Sequence, residues 1–335
     1  MAFSPQKYPV AAIDVFAVAH RAYHNCKKQN DDSDLATVAF PGANTKKSTS
    51  VYAALATQII VDIQEFIHPD VKTLLLFDNP TSKTEGRKQI SEAYKKHRQS
   101  KPTTFYRTID FIQFYCTQIL PDTVYVSRVP QREADDLIKI FLQDTPSEFI
   151  DLQPDQKVLM VANDSDWHAC LSDQVDMWWF GMDQSAPYTK QNFINEFSFT
   201  PSLSRVALYK ALMGDSADNI EAIFKKREIS TETLLYIVNT YGEPNVADSL
   251  PAVCALDDNI PLDITRKLQD ARTTFHVNLK LTDYLPIEPN RLRRYTTRGK
   301  SNIVMENTLN SVLKSVLQPE WNAFSFKFGG VATDV

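Results

Sequence analysis

Nine carboxylates stand where they could act together. Asp14 closes the apolar run VAAI, Asp78 closes TLLLF, Glu133, Asp135 and Asp136 come shortly after TVYVSRV, and Asp164 and Asp166 follow KVLMVA. Asp215 and Asp218 lie three residues apart in GDSADNI, where a helical pattern stops at a glycine. Gathered in one place, like charges suppress one another's ionisation unless a counter-charge is present. A hard divalent cation supplies it. Mg²⁺ prefers oxygen ligands and substrate phosphates, and two such ions about 3.5–4 Å apart form the clamp used for in-line phosphodiester hydrolysis. These residue types point to metal-dependent phosphoryl transfer.

The elements that must position them are legible as well. VAAI, TLLLF, TVYVSRV, KVLMVA and VDMWWF have the length and composition of buried strands, and stretches of helical spacing such as 51–67 and 134–142 lie between them. That alternation predicts an α/β domain over about residues 1–200, a mostly parallel sheet covered on both faces. In such sheets ligands bind beyond the carboxyl ends of the strands, which is where seven of the nine carboxylates fall. Taken singly, Asp14 or Asp78 reads as a helix cap or turn former, and E-x-D-D as an acidic first helical turn. Recurrence after four different strands favours the cluster. From about residue 201 helical patterns dominate to about 290, and residues 291–335 hold an amphipathic helix and a Phe-rich tail.

Composition narrows the classes further. Hydrophobic residues make up 43% of the 335 and no apolar run approaches the ~18 residues of a membrane helix, so no membrane association is expected. The start, MAFSPQKYPVAAID, lacks a basic segment followed by a long apolar stretch, so an intracellular, cytoplasmic site is expected. The four cysteines form no C-x-x-C pair, which speaks against a zinc knuckle or a disulfide framework. Net charge is −5, yet residues 80–107 carry eight Lys or Arg against Glu85 and Glu92, and Lys225, Lys226 and Arg227 follow GDSADNI closely. Basic stretches of this kind suit a phosphate backbone.

With these residues assembled, the chain resembles the 5′ nuclease superfamily of flap endonucleases and 5′→3′ exonucleases, in particular the phage-encoded exonucleases and RNase H of that type. AIDVFAVAHRAYHN is similar to the family's first strand and R-A-Y-H segment, LLLFDN to its second acidic strand, and SRVPQREADDLI to its E-A-D-D element. VLMVANDSDWHACL resembles its S/T-x-D-x-D segment, and ALMGDSADNI the G-D-x-x-D-N motif that opens its helix-three-turn-helix; together they span Ala11 to Ile220 in order. The resemblance implies a PIN-like sheet flanked by helices, with a helical arch over about 80–115, a helix-three-turn-helix domain over 201–290 and a tail over 291–335. It implies two Mg²⁺ ions, for which Mn²⁺ can substitute. Asp14, Asp78, Glu133 and Asp135 would surround the first ion. Asp164, Asp166 and Asp215 would serve the second, with Asp135 shared or nearby, and Asp136 and Asp218 would act through water.

The arch element resembles Tyr94-Lys95-Lys96-His97-Arg98, with His97 in place of the usual Asn. On one helix Arg87, Tyr94, Lys95 and Arg98 would share a face. Lys95 and Arg98 would then meet the scissile phosphate and Tyr94 would stack on a base. Arg21 is a candidate phosphate contact, while His24 reads equally well as a packed helix residue. Lys96, Lys225, Lys226 and Arg227 are candidate backbone contacts. IEAIFKKREISTETL has no glycine where many members carry a Gly-x-Gly hairpin, which speaks against a K⁺ site. The implied activity is structure-selective cleavage of DNA or RNA·DNA at 5′ ends and flaps, removing primers by a monomeric enzyme in phage replication. A single-strand-binding protein or sliding clamp is a conceivable partner. The alternatives are a PIN-type ribonuclease and an inactive DNA-structure-binding protein of the same fold.

Overall fold

The computed structural model describes residues 6–29, 46–79, 86–97, 101–143, 152–180 and 186–301. The five apolar runs form strands β1 (Val10–Asp14), β2 (Lys72–Leu76), β3 (Val124–Ser127), β4 (Val158–Ala162) and β5 (Val175–Trp179). They are parallel, in the order β5-β4-β1-β2-β3. Every residue of β1 and β4 is buried, as strands covered on both faces require. A sixth strand, β6 (Thr296–Arg298), adds to β3 in the antiparallel sense. Although Thr favours strands, three residues with no apolar alternation are too short to read as one, so the sequence does not announce this edge.

The helices are α1 (Val15–Gln29), α2 (Lys46–Gln64), α3 (Arg87–Ile90), α4 (Thr103–Gln118), α5 (Ala134–Gln143), α6 (Lys190–Phe197), α7 (Leu203–Met213), α8 (Thr231–Tyr241), α9 (Leu250–Val253), α10 (Leu262–Asp270), α11 (Arg272–Thr282) and α12 (Pro289–Arg294). Side chains of a strand alternate between its faces, and the core divides accordingly. Ala11, Ile13 and Leu75 pack with residues of α1, α2 and α4. Val10, Ala12, Leu74 and Leu76 pack with Leu137 and Phe141 of α5 and, in the same continuous core, with Leu208, Leu212, Ile237, Leu268 and Phe275. The helices after residue 200 thus share one core with the sheet, which fixes the GDSADNI turn against its edge. Among the described residues no helix is long and apolar enough to cross a membrane.

The register sets the acidic edge. Asp14 pairs with Leu76, so Asp78 lies two residues past that level, and Ile13 pairs with Val161, so Asp164 lies a similar step beyond. The expected shared helical face across 87–98 is not what forms. The helix after Gly86 lasts a single turn, residues 92–97 are turns, and Lys95 has φ of 53°, in the left-handed region. Arg98 lies outside the described residues.

Candidate active site

Three carboxylates at the strand ends share one arrangement. Asp14 Oδ1 accepts the Ala17 N–H at 3.0 Å, Asp78 Oδ1 accepts Ala134 N–H at 2.7 Å, and Asp164 Oδ1 accepts Asp166 N–H at 2.9 Å. Each therefore does serve as a helix-start cap, through one oxygen. Among the described residues the second oxygen of each accepts no protein hydrogen bond. Burial, and then Asp78, Asp164 and Asp135, hold the Asp14 carboxyl well above the usual range. Burial and then Glu133 push Asp78 up to about 7, and burial and then Asp166 push Asp164 up to about 7. These three carboxyls lie in one another's field with too little positive charge to offset their desolvation.

The remaining acids are matched by cations. Arg87, with a side chain 4% exposed, donates from its two terminal nitrogens to Glu133 Oε2 (3.1 Å), Asp135 Oδ2 (3.2 Å) and both oxygens of Asp136 (2.9 and 3.2 Å). Its remaining bonds reach the Leu281 and Asp283 carbonyls, each at 3.0 Å. Asp136 is fully buried and also accepts the Glu133 and Leu285 N–H groups. With no exposed surface at which a metal-bound water could reach it, Asp136 is corrected from a water-mediated metal contact: it joins α5 to the segment after α11. Arg87 is likewise corrected from a nucleic-acid contact to the partner of that acid, because a guanidinium this buried cannot face a phosphate.

Lys95 Nζ donates to Glu133 at 3.0 and 2.9 Å and lies 3.7 Å from Asp218. Although Glu133 is partly desolvated, Lys95 and Arg87 hold its carboxyl down at about 2. The single proton of the Tyr94 hydroxyl is shared between Asp218 Oδ2 (2.8 Å) and Glu133 Oε2 (3.1 Å). Only 3% of Tyr94 is exposed, so its expected stacking on a base is also corrected: the ring is core and its hydroxyl a strut.

The opening of GDSADNI is dictated by sterics. Gly214 has φ of 73°, and a Cβ there would come within 2.6 Å of Ala222 N. Asp215 and Ile220 then exchange backbone hydrogen bonds, closing a loop that presents Asp215 and Asp218. Asp215 Oδ1 accepts Ala217 N–H at 2.9 Å and Oδ2 accepts Lys210 Nζ at 2.9 Å. Lys210 also donates to Asp166 and to Ser165 Oγ. Lys210 and then Lys139 hold the Asp166 carboxyl low against the opposing effect of burial. Lys139, 3% exposed, reaches Asp135 at 3.7 Å. Sequence reasoning singles out neither Lys139 nor Lys210. Lys139 carries one signal, an i,i+4 spacing from Asp135 within the apolar run LIKIF.

Of the candidate phosphate contacts, Lys96, Lys225, Lys226 and Arg227 are exposed. Arg21 is exposed with its guanidinium 4.6 Å from the centre of the Phe180 ring, and the exposed His24 lies 3.4 Å from Lys101 Nζ.

The donor chemistry fits a hard cation. Asp14, Asp78 and Asp164 offer oxygen ligands only, each oriented by a backbone N–H, each with one uncommitted oxygen among the described residues, and none of the three is hydrogen-bonded by a cation there. Among the described residues no three Asp, Glu, His or Cys side chains already converge on a single point as a ligand set.

Residues 9–198 match the profile of the family described as 5′-3′ exonuclease, N-terminal resolvase-like domain. No curated protein sequence matches significantly. Among solved structures, a bacteriophage T5 protein co-crystallised with metal ions is 16% identical with a TM-score of 0.55, covering 92% of this chain and 98% of its own. The bacteriophage T5 flap endonuclease in a pseudo-enzyme–product complex with DNA and metal ions is 16% identical, with a TM-score of 0.52 over the same shares. The catalytic core of Rad2 in complex with DNA substrate is 11% identical with a TM-score of 0.50, covering 93% of this chain and 88% of its own. At these identities the structures establish a common fold, while the profile spans more than half of the sequence. On that match, the chain belongs to the 5′-3′ exonuclease family.

Proposed function

We propose that the protein is a divalent-metal-dependent 5′ nuclease that hydrolyses phosphodiesters at 5′ ends and flaps of duplex DNA or RNA·DNA. The observation that carries this reading is the placement of Asp14, Asp78 and Asp164 along one sheet edge by the strand register, each with an oxygen that no protein group among the described residues uses. The T5 flap endonuclease and Rad2 structures, which hold DNA, support it by likeness of fold. Mg²⁺, or Mn²⁺ in its place, would be held by Asp14, Asp78, Glu133 and Asp135, with Asp164, Asp166 and Asp215 serving a second ion. When bound, such ions neutralise developing phosphate charge and lower the pKa of water.

The chain's own groups do the rest. Lys95, anchored on Glu133, sets an ammonium beside the acidic edge where a scissile phosphate gains charge. Arg98 is proposed to add to it. Lys96, Lys225, Lys226, Arg227 and Arg21 bind backbone phosphates, giving affinity without sequence reading. Tyr94, Asp218 and Arg87 hold these pieces in register. We assign residues 1–200 to the nuclease domain and 201–290 to duplex binding. Primer or flap removal during phage replication by a monomer is the corresponding role.

A duplex with a labelled 5′ flap, incubated with Mg²⁺, tests this. Mg²⁺-dependent release of 5′-phosphorylated products is expected, lowered on the order of 10²-fold or more in Asp14→Asn and Asp164→Asn. Failure to cleave the flap, or cleavage indifferent to both substitutions, overturns the reading.

A further inference from the structure

Lys139 is a buried cation that the nuclease reading does not use. It follows Asp135 by one turn of α5, its side chain is 3% exposed, and its Nζ lies 3.7 Å from Asp135 Oδ2. Among the described residues its ammonium makes no hydrogen bond. A buried charge is costly unless paired and hydrogen-bonded, and removing its partner leaves the other charge uncompensated. On grounds of packing alone an apolar side chain would serve better here, between Ile138 and Ile140, both of which are buried.

What Lys139 faces is more informative than what it touches. Helix α5 packs against the turn that carries Asp166, and the field of Lys139 acts on Asp135 and Asp166 together. Lys210 bonds Asp166 from another direction and continues to Asp215. Arg87 holds Asp135 at 3.2 Å, and Cys170, a neighbour in the same turn, is neutral. The acidic edge therefore has two unlike halves. Asp135, Asp166 and Asp215 are compensated from within the protein, whereas Asp14, Asp78 and Asp164 are not.

We propose that Lys139 is a resident counter-charge beside Asp135, on the helix that packs against the Asp166 turn, and that it stabilises the metal-free site and weakens divalent-ion binding in that half. The proposal rests on the metal-dependent reading above. A positioning role of this kind differs from packing in a measurable way. A packing role predicts that Lys139→Met leaves ion affinity unchanged and that the metal-free protein is as stable or more so. A counter-charge predicts tighter binding of the divalent ion, because a nearby positive charge has been removed.

The test is calorimetric titration of the full chain with Mg²⁺, and separately Mn²⁺, without nucleic acid, beside thermal melts in chelator and in Mg²⁺. For Lys139→Met the weaker binding step is expected to tighten about tenfold. The melting temperature in chelator should fall, and the rise caused by Mg²⁺ should exceed that of the unsubstituted protein. Lys139→Gln, which keeps a polar end in the same space, must shift affinity in the same direction. Unchanged or weaker binding in these variants overturns the role of Lys139 while leaving the nuclease reading intact. An unsubstituted protein that binds neither ion overturns both.

Discussion

The Tyr94 hydroxyl lies 2.8 Å from Asp218 Oδ2, although the two residues are 124 positions apart. Around that bond the Lys95 N–H donates to the Asp218 carbonyl at 3.0 Å, and Asn219 Nδ2 donates to the Ala93 carbonyl at 2.8 Å. The segment that bears Lys95 is thus fastened to the GDSADNI turn by backbone and side chain together.

Replacing Tyr94 with Phe removes the hydroxyl while keeping the ring, and with it the one proton that Asp218 and Glu133 share. The expected loss of stability is about 1–2 kcal/mol, read from the urea midpoint. Because Lys95 loses part of its anchorage, single-turnover cleavage should slow more than substrate affinity falls. Equal losses in rate and affinity would refute this role for the hydroxyl.

Arg87→Met strands Asp136, which has no route to solvent, together with parts of Glu133 and Asp135. Breaking a buried pair by removing one partner costs about 3–5 kcal/mol, so a large drop in melting temperature is expected. The double variant Arg87→Met with Asp136→Leu should recover part of it. A single variant as stable as the parent would show that the buried pair is not structural.

The acidic edge gives metal-free stability an unusual pH dependence. Asp78 and Asp164 are raised from 3.8 to about 7, so between pH ~4 and 7 the folded protein binds more protons on them than the unfolded chain. In chelator, melting temperature should therefore fall as pH rises from 5 to 8. Glu133 and Asp166, which are held low, act only below that window. Added Mg²⁺ should offset the fall most at high pH, where protons no longer compete for the carboxylates. A melting temperature in chelator that climbs from pH 5 to 8 would contradict the assignment.

Alanine at Lys225, Lys226 and Arg227 together should weaken duplex binding without altering thermal stability, since all three are exposed. In a plot of log affinity against log salt, the slope should become shallower by about 0.9 for each phosphate that the variant no longer neutralises. Fluorescence anisotropy at several salt concentrations measures both effects, and an unchanged slope would remove the turn from the interface.

The sheet and its acidic edge are readable because buried parallel strands are continuous apolar runs and the carboxylates follow them directly. Asp14, Asp78 and Asp164 can be placed from sequence because both roles they have, cap and edge acid, occur at the same position. Arg87 and Tyr94 escape such placement for a physical reason. Reading 87–98 as one helix puts them on a common outer face, but the helix ends at Ile90 with Ser91 extended, and both side chains are buried. Lys139 and Lys210 are hidden because a lysine on a helix normally reads as solvated, and only the packing of α5 and α7 against the 165–170 turn buries Lys139 beside Asp135 and brings Lys210 to Asp166. β6 is invisible because its pairing is decided by the open edge of β3, not by its own three residues.

That last pairing also bears on how the molecule assembles. Thr296 Oγ1 donates to Ser127 Oγ across 169 positions, and the Gly299 N–H donates to the Val124 carbonyl. Until residues 296–299 arrive, one side of β3 presents unpaired backbone groups to solvent, a template for other extended chains. Contacts this distant in sequence form slowly because a long loop must close first. Self-association during refolding should therefore peak before β6 docks, and a short peptide spanning 294–301 should suppress it by occupying the β3 edge.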